Sequence, residues 1–174
     1  EIDPDLFALD IDVDPIEVAK IHSRDRALYP GELSEERLRI ESAIKIREAD
    51  KLVFPGVGSF GSMMQILRQK RFVDPLLAFL QSGKPFLGIC VGMQALFEGS
   101  EESPGVEGLG VIPGTVGRFA APGLSVPHMG WNQIEHDESH PLLKGVPSGS
   151  HTYFVHSYYC VPANEEDIVA VTQY

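Results

Sequence analysis

Residues 85–94 read Pro85-Phe86-Leu87-Gly88-Ile89-Cys90-Val91-Gly92-Met93-Gln94, an apolar run that ends in a nucleophile flanked on both sides by glycine. An apolar run of this length bounded by turn residues predicts a buried strand, here 85–89, and the residues after it predict a helix over Met93–Phe97. Glycine on either side of Cys90 gives the cysteine version of the nucleophile elbow, a strand-to-helix junction whose small residues permit a sharp turn. Such a turn lifts the sulfur above the sheet beside a helix N-terminus, where an anion is favoured, and the thiolate is the nucleophilic form of cysteine. A free cysteine with no such setting is most often a buried apolar residue. That is the reading for the second cysteine, Cys160, in Tyr158-Tyr159-Cys160-Val161.

Working outward, elements of helix and strand alternate. Leu6–Ile11 predicts a strand, Asp14-Pro15 with Glu17 starts a helix to about Ala27, and Tyr29-Pro30-Gly31 ends it. A second helix is expected from Ser34 to Glu48, a strand over Lys51–Phe54, and helices over 62–70 and 74–81 with Gly83 as a stop. This alternation is the signature of an α/β fold. From Gly105 the texture changes to short β segments, expected at 110–112, 115–119, 131–135, 152–160 and 168–172.

The turn after the Lys51–Phe54 strand, Gly56-Val57-Gly58-Ser59-Phe60-Gly61, matches the spacing of a dinucleotide-binding loop. The acid that completes such a site belongs at the end of the next strand, and here that strand ends Gly88-Ile89-Cys90. The exposed amides of a glycine turn serve an oxyanion as well as a phosphate. Six histidines occur, and a cysteine nucleophile needs an imidazole base held by a third group. His128 and His156 are candidates to line a site, whereas His136 lies in the polar run 135–140 that predicts a solvated loop.

Composition bounds the rest. The chain has 174 residues, 43% hydrophobic and 22% charged, which fits one globular domain. A net charge of −11 disfavours nucleic acid as a partner. The longest apolar stretch, Pro85–Phe97, falls short of the roughly 20 residues that span a bilayer, so no membrane partner is expected. Two cysteines without metal-ligand spacing predict neither a disulfide framework nor a metal site. The acidic start Glu1-Ile2-Asp3-Pro4-Asp5 is unlike a secretory signal, so an intracellular chain is expected; without an initiator methionine it reads as trimmed.

The segment 85–94 resembles class I (triad-type) glutamine amidotransferases. Pro127-His128-Met129-Gly130-Trp131-Asn132, Tyr153-Phe154-Val155-His156-Ser157-Tyr158 and the stretch from Ala49 to Gly61 resemble the glutaminase subunit or domain of imidazole glycerol phosphate synthase. The resemblance covers about residues 41–174, leaving 1–40 as an atypical N-terminal segment. It implies a flavodoxin-like, mostly parallel central sheet with helices on both faces and a β-rich second half, incomplete at both ends. It further implies that glutamine is hydrolysed, without a cofactor, and that ammonia passes to a cyclase (β/α)8 barrel of histidine biosynthesis, in the cytoplasm or, for a plant-type precursor, a plastid.

Carried over by position, the resemblance makes Cys90 the nucleophile that forms a glutamyl thioester. Val57, Gly58 and Val91 would form the oxyanion hole, and Gly56, Gln94, His156 and Ser157 would hold the substrate. Trp131 and Tyr153 would face the cyclase. Two departures stand out. The family's opening Asp-Tyr-Gly-x-Gly-Asn type strand is not found in residues 1–40, and the chain reaches Tyr174 before the strand that carries His-Pro-Glu, the base and its carboxylate. A catalytically silent partner-binding module of the same fold is therefore the alternative function, with a Rossmann-type nucleotide binder as a third.

Overall fold

Leu52 and Phe54 alternate along their strand with Lys51, Val53 and Pro55, and only the first two are shut into the core. That period of two is what a strand with one face packed on helices requires. In the computed structural model, which describes residues 6–8, 35–120 and 122–174, this strand is the middle of a parallel sheet. Its neighbours are β1 (Leu6–Ala8) and β3 (Phe86–Cys90), and the strand itself is β2 (Lys51–Gly56). The β2–β3 register runs from Leu52 opposite Phe86 to Gly56 opposite Cys90.

Parallel neighbours need a crossover, and helices supply it. Helix α1 (Glu35–Glu48) precedes β2, while α2 (Phe60–Gln69) and α3 (Val73–Gln81) lie between β2 and β3. In α2 the buried residues Phe60, Met63, Met64 and Leu67 fall on one stripe of a 3.6-residue period. Ser59 caps that helix in an extended conformation, its hydroxyl accepting the Ser62 N–H at 3.2 Å. Leu76 and Phe79 of α3 and Ile46 of α1 complete the same core. A four-residue helix, α4 (Val91–Gln94), follows Cys90 directly.

The second half is built of short strands. β4 (Gly99–Ser100) runs parallel to β5 (Gly114–Arg118), whose other edge pairs antiparallel with β9 (Tyr158–Pro162). β6 (His128–Gln133) pairs antiparallel with β8 (His151–His156), and β7 (Glu135–His136) with β10 (Ala170–Val171). Val116, at the centre of β5, is fully buried.

The expected helix at 34–48 and the strands at 51–54 and 85–89 are present within a residue or two. The expected helix over 14–27 and its breaker at 29–31 lie outside the described residues, as do residues 9–11 of the first strand. Four expectations are corrected. The helix after Cys90 begins at Val91 rather than Met93, because the chain turns at Cys90 itself. Residues 110–112 are not a strand. There Gly110 takes a positive φ of 61°, and Val111 and Ile112 both donate to the Leu96 carbonyl, wrapping the end of α4. The single strand expected over 152–160 is two strands broken at Ser157. The solvated loop expected at 135–140 contains β7, and both ring nitrogens of His136 are closed off from solvent with no hydrogen-bond partner.

Among the described residues no helix is long and apolar enough to cross a membrane. Phe79 is one of the phenylalanines shut into the core, at 1% exposed. Truncating it to alanine is expected to cost about 3–5 kcal/mol, the loss typical of an emptied aromatic site. Met129→Ala, at a position 61% exposed, should stay within about 0.5 kcal/mol of the parent. Equilibrium denaturation of both variants checks the contrast.

Candidate functional site: a cysteine elbow beside a glycine turn

Cys90 has φ 55° and ψ −121°, a backbone conformation that few residues other than glycine adopt, and its side chain is exposed. The flanking glycines explain how this conformation is reached. A Cβ on Gly88 would lie 2.7 Å from the Met93 Cα, and one on Gly92 would collide with the Phe54 carbonyl. Strand β3 and helix α4 therefore fold back on each other, and α4 on β2, at distances that exclude any side chain. The sulfur is left projecting at the end of the sheet.

The register of the parallel sheet brings the glycine turn to the same place. Gly56 is the partner of Cys90, and a Cβ there would lie 2.9 Å from the Gly92 nitrogen. Val57 follows, 70% exposed, and Gly58 has a positive φ of 94° with open space around it. Gly56, Val57 and Gly58 thus leave the sheet at the same end as Cys90 and the buried Val91. A small exposed thiol beside a glycine turn suits nucleophilic attack on an acyl group, since the amides of such a turn can receive an oxyanion.

Gln94 is buried, and its Nε2 donates to the Tyr158 carbonyl at 3.1 Å. His156 is joined to the same carbonyl through Nδ1 at 2.9 Å. One proton arrangement satisfies every contact around it. With the His156 Nδ1–H donated to Tyr158, its Nε2 accepts from His128 Nδ1 at 3.3 Å. His128 Nε2 then accepts from Asn132 Nδ2 at 3.3 Å, and that amide also donates to the Gln173 carbonyl at 2.8 Å. In this chain of bonds each imidazole donates through one ring nitrogen and accepts through the other. Burial, and then the facing His156, push the His128 imidazole below its ordinary 6.5. Phe154 and Tyr174 stack on the His128 ring, at 4.6 and 3.8 Å between centroids.

Ser157 sits between the two strands, its carbonyl accepting from Phe119 N–H at 3.2 Å. Trp131 and Tyr153 lie opposite each other on β6 and β8 with their rings edge to face at 5.7 Å, 71% and 55% exposed. Register puts them on the face of the hairpin away from the two histidines. Cys160 is half-buried against the core; burial, and secondarily Cys90, push its thiol up to about 12. Among the described residues no side chain hydrogen-bonds the Cys90 sulfur, and no cluster of metal-binding side chains forms. Sequence reading missed Asn132 and the Tyr158 carbonyl as partners of the histidines. It also missed Glu102 and Ser103, which accept from the Phe60 and Gly61 amides at 2.7 and 3.0 Å. No local pattern marks any of these contacts.

Two outcomes follow. At pH 8 a thiol alkylating agent should modify Cys90 and leave Cys160 intact, since a thiol pushed to about 12 stays protonated there. Peptide mapping by mass spectrometry that found equal modification would contradict the site. The depressed His128 titration favours the neutral ring in the folded chain, so its stabilising share is complete above 6.5 and is lost as the pH falls below that value. The denaturation midpoint should therefore drop between pH 7.5 and 5, with a shallower drop in His128→Phe; parallel profiles would assign the dependence to other groups.

Comparison with known proteins agrees with this geometry. The sequence profile of the family described as "Glutamine amidotransferase class-I" matches residues 26–174. The imidazole glycerol phosphate synthase subunit HisH of Thermococcus kodakarensis is 52% identical over 130 residues, covering 74% of this chain and 64% of the relative. That of Acaryochloris marina is 54% identical over 119 residues, 67% of this chain and 55% of the relative. HisH of Moorella thermoacetica is 43% identical over 150 residues, covering 86% and 68%. The chain thus spans little more than half to about two-thirds of the length of these relatives. A solved structure described as a glutamine amidotransferase superposes with a TM-score of 0.58 at 19% identity, over 95% of this chain and 78% of its own, a likeness of fold. With the family profile extending over most of its length and the cysteine elbow in place, the chain belongs to the class I glutamine amidotransferases.

Proposed function

We propose that this chain is the glutaminase part of an imidazole glycerol phosphate synthase: it hydrolyses glutamine at Cys90 and passes ammonia to a cyclase barrel of histidine biosynthesis. The observation that carries the reading is the exposed Cys90 sulfur, held at positive φ at the end of β3, opposite Gly56 and its turn. The thiolate attacks the side-chain amide carbon of glutamine, and a C–S bond forms as the carbonyl oxygen becomes an oxyanion. The Val57, Gly58 and Val91 amides receive that charge. The C–N bond breaks as the proton the Cys90 thiol gave up is returned to the nitrogen, and ammonia leaves. Water then attacks the thioester, and the C–S bond breaks to give glutamate and free Cys90. Gly56, Gln94, His156 and Ser157 hold the substrate. Gln94 and His156 are already aligned by their shared Tyr158 carbonyl. The amidotransferase portion is residues 41–174, and its free thiol chemistry suits the reducing cytoplasm.

Trp131, Tyr153, Met129 and Val155 make an exposed apolar face on the β6–β8 pair, the composition of a docking surface. This face is where the cyclase barrel docks. A second reading, the silent partner-binding module, is favoured by one observation. Both candidate bases, His128 and His156, spend their ring nitrogens on each other, on Asn132 and on Tyr158.

Glutaminase turnover of three chains decides between them: residues 1–174, the same chain with Cys90→Ala, and a chain lengthened past Tyr174 by a relative's His-Pro-Glu segment, each with and without the barrel. The lengthened chain should exceed the shorter one by about 10²–10⁴-fold, the usual contribution of a positioned base. Cys90→Ala should abolish turnover in either length. Barrel binding without turnover in every chain would establish the silent module instead.

A further inference from the structure

The first turn of a helix leaves four N–H groups without partners in the helix. In α2 the Met63 N–H makes the first helical bond, to the Ser59 carbonyl at 3.0 Å, and the Ser62 N–H returns to the Ser59 hydroxyl at 3.2 Å. The amides of Phe60 and Gly61 leave the segment altogether. Phe60 N–H donates to Glu102 Oε2 at 2.7 Å and Gly61 N–H to Ser103 Oγ at 3.0 Å, partners 42 residues away in sequence. Gly61 is tight against that loop, since a Cβ there would lie 2.8 Å from the Ser103 hydroxyl. A carboxylate on a helix N-terminus forms a charge-assisted bond that the helix dipole reinforces.

The loop that supplies these acceptors is itself anchored. Glu101 N–H donates to the Val116 carbonyl at 2.9 Å, and its Oε2 accepts from Arg118 N–H at 2.9 Å. Glu98 N–H donates to the Gly114 carbonyl at 3.1 Å. The loop also follows α4, which starts directly after Cys90. The chain therefore closes a ring: from Cys90 through α4 and β4 to Glu102 and Ser103, across to the start of α2, and back through Ser59, Gly58 and Val57 to Gly56 opposite Cys90. Within that ring the apex Val57-Gly58 packs on little, Val57 being 70% exposed and Gly58 having open space around it. Such an apex is held by its ends. The strand register fixes one end, and the acceptors Glu102 and Ser103 fix the other.

We propose that Glu102 and Ser103 are positioning residues for the oxyanion hole: by accepting from the first two amides of α2 they hold the exit of the glycine turn, and so set the direction of the Val57 and Gly58 amides. This rests on the glutaminase reading of Cys90 and names the groups that preorganise its turn. Both act through the backbone and neither touches substrate. Glu102 works through its oxygen as an acceptor, so glutamine at that position retains most of the effect.

The test uses the whole chain and two readouts. Backbone order parameters of Val57 and Gly58 by ¹⁵N relaxation should be near the rigid value of about 0.85 in the parent and fall toward about 0.6 in Glu102→Ala and in Ser103→Ala, with Glu102→Gln close to the parent. The Val116 amide of β5 serves as a control that stays rigid in every variant. Inactivation by a diazoketone analogue of glutamine should slow about tenfold at saturation in the alanine variants, with the half-saturating concentration unchanged. Unchanged order parameters in both alanine variants, or a parent turn that is already mobile, would overturn the proposal. So would a rise in half-saturating concentration in Glu102→Gln with the turn still rigid, which would make the carboxylate a substrate ligand. A parent chain that the analogue leaves unmodified counts against the glutaminase reading, while the order parameters of Val57 and Gly58 still decide the clamp.

Discussion

Everything at the site depends on the distance at which α4 passes β2. Gly92 lies against the Phe54 carbonyl with no room for a Cβ, and Gly88 meets the Met93 backbone under the same restriction. That close approach lets the chain reverse at one residue, and the residue that reverses is Cys90, at a φ of 55°. Left-handed backbone in a residue with a Cβ costs about 1–3 kcal/mol and persists only where the surroundings dictate it. Here the surroundings belong to the buried core. Phe54 and Ala95 are fully buried, and Val91 is 4% exposed. The core therefore bears the strain of the elbow, and the sulfur stays exposed because the turn beneath it cannot relax.

The parts of this arrangement that were legible in the sequence are those set by neighbours in the chain. Gly88-x-Cys90-x-Gly92 announces a reversal, and Gly56-Val57-Gly58 announces a turn at the end of an adjacent strand. The parallel register that brings Gly56 opposite Cys90 follows once both runs are strands of one sheet. Legibility fails where the partner is distant. Nothing near Phe60 says that its amide goes to Glu102, and nothing in the run 135–140 says that Glu135–His136 pairs with Ala170–Val171. Residues 110–112 failed for another reason: apolar side chains occur there, but Gly110 at positive φ turns the backbone toward the Leu96 carbonyl before a ladder can form.

The two histidines show what a motif match leaves undetermined. His128 and His156 stand on separate strands, and only the antiparallel register places them opposite each other. Once there, each imidazole removes the freedom of the other. The His156 Nδ1–H is taken by the Tyr158 carbonyl, so its Nε2 must accept, and His128 must donate. A proton added to this pair would face a donor: the ring nitrogen of His128 that would carry it points at the Asn132 amide, whose oxygen already accepts from Gln133 N–H. This geometry adds to burial in disfavouring a charged His128. The work of the network is to align: it fixes the Tyr158 carbonyl, and through it Gln94, beside the helix that starts directly after Cys90.

The β6–β8 pair inverts the ordinary pattern of a strand, in which apolar residues face inward. Its inner face carries His128, Asn132 and His156 with Phe154, while Met129, Trp131, Tyr153 and Val155 face out and are all more than half exposed. Inverting a strand by one register step would bury the apolar set and release the histidines, so selection for stability alone would favour that step. The observed register is held instead by bonds that only the inverted face can make, namely His128 to His156, Asn132 to Gln173 and His156 to Tyr158. The strand pair thus spends its polar face on the network around Gln94 and leaves its apolar face exposed. A change in how that outer face is covered acts on a two-stranded ribbon with six paired positions, and Tyr153 and His156 lie three residues apart on the same strand of it. The exposed rings of Trp131 and Tyr153 are in this way mechanically continuous with the alignment of Gln94, without any group having to cross the core.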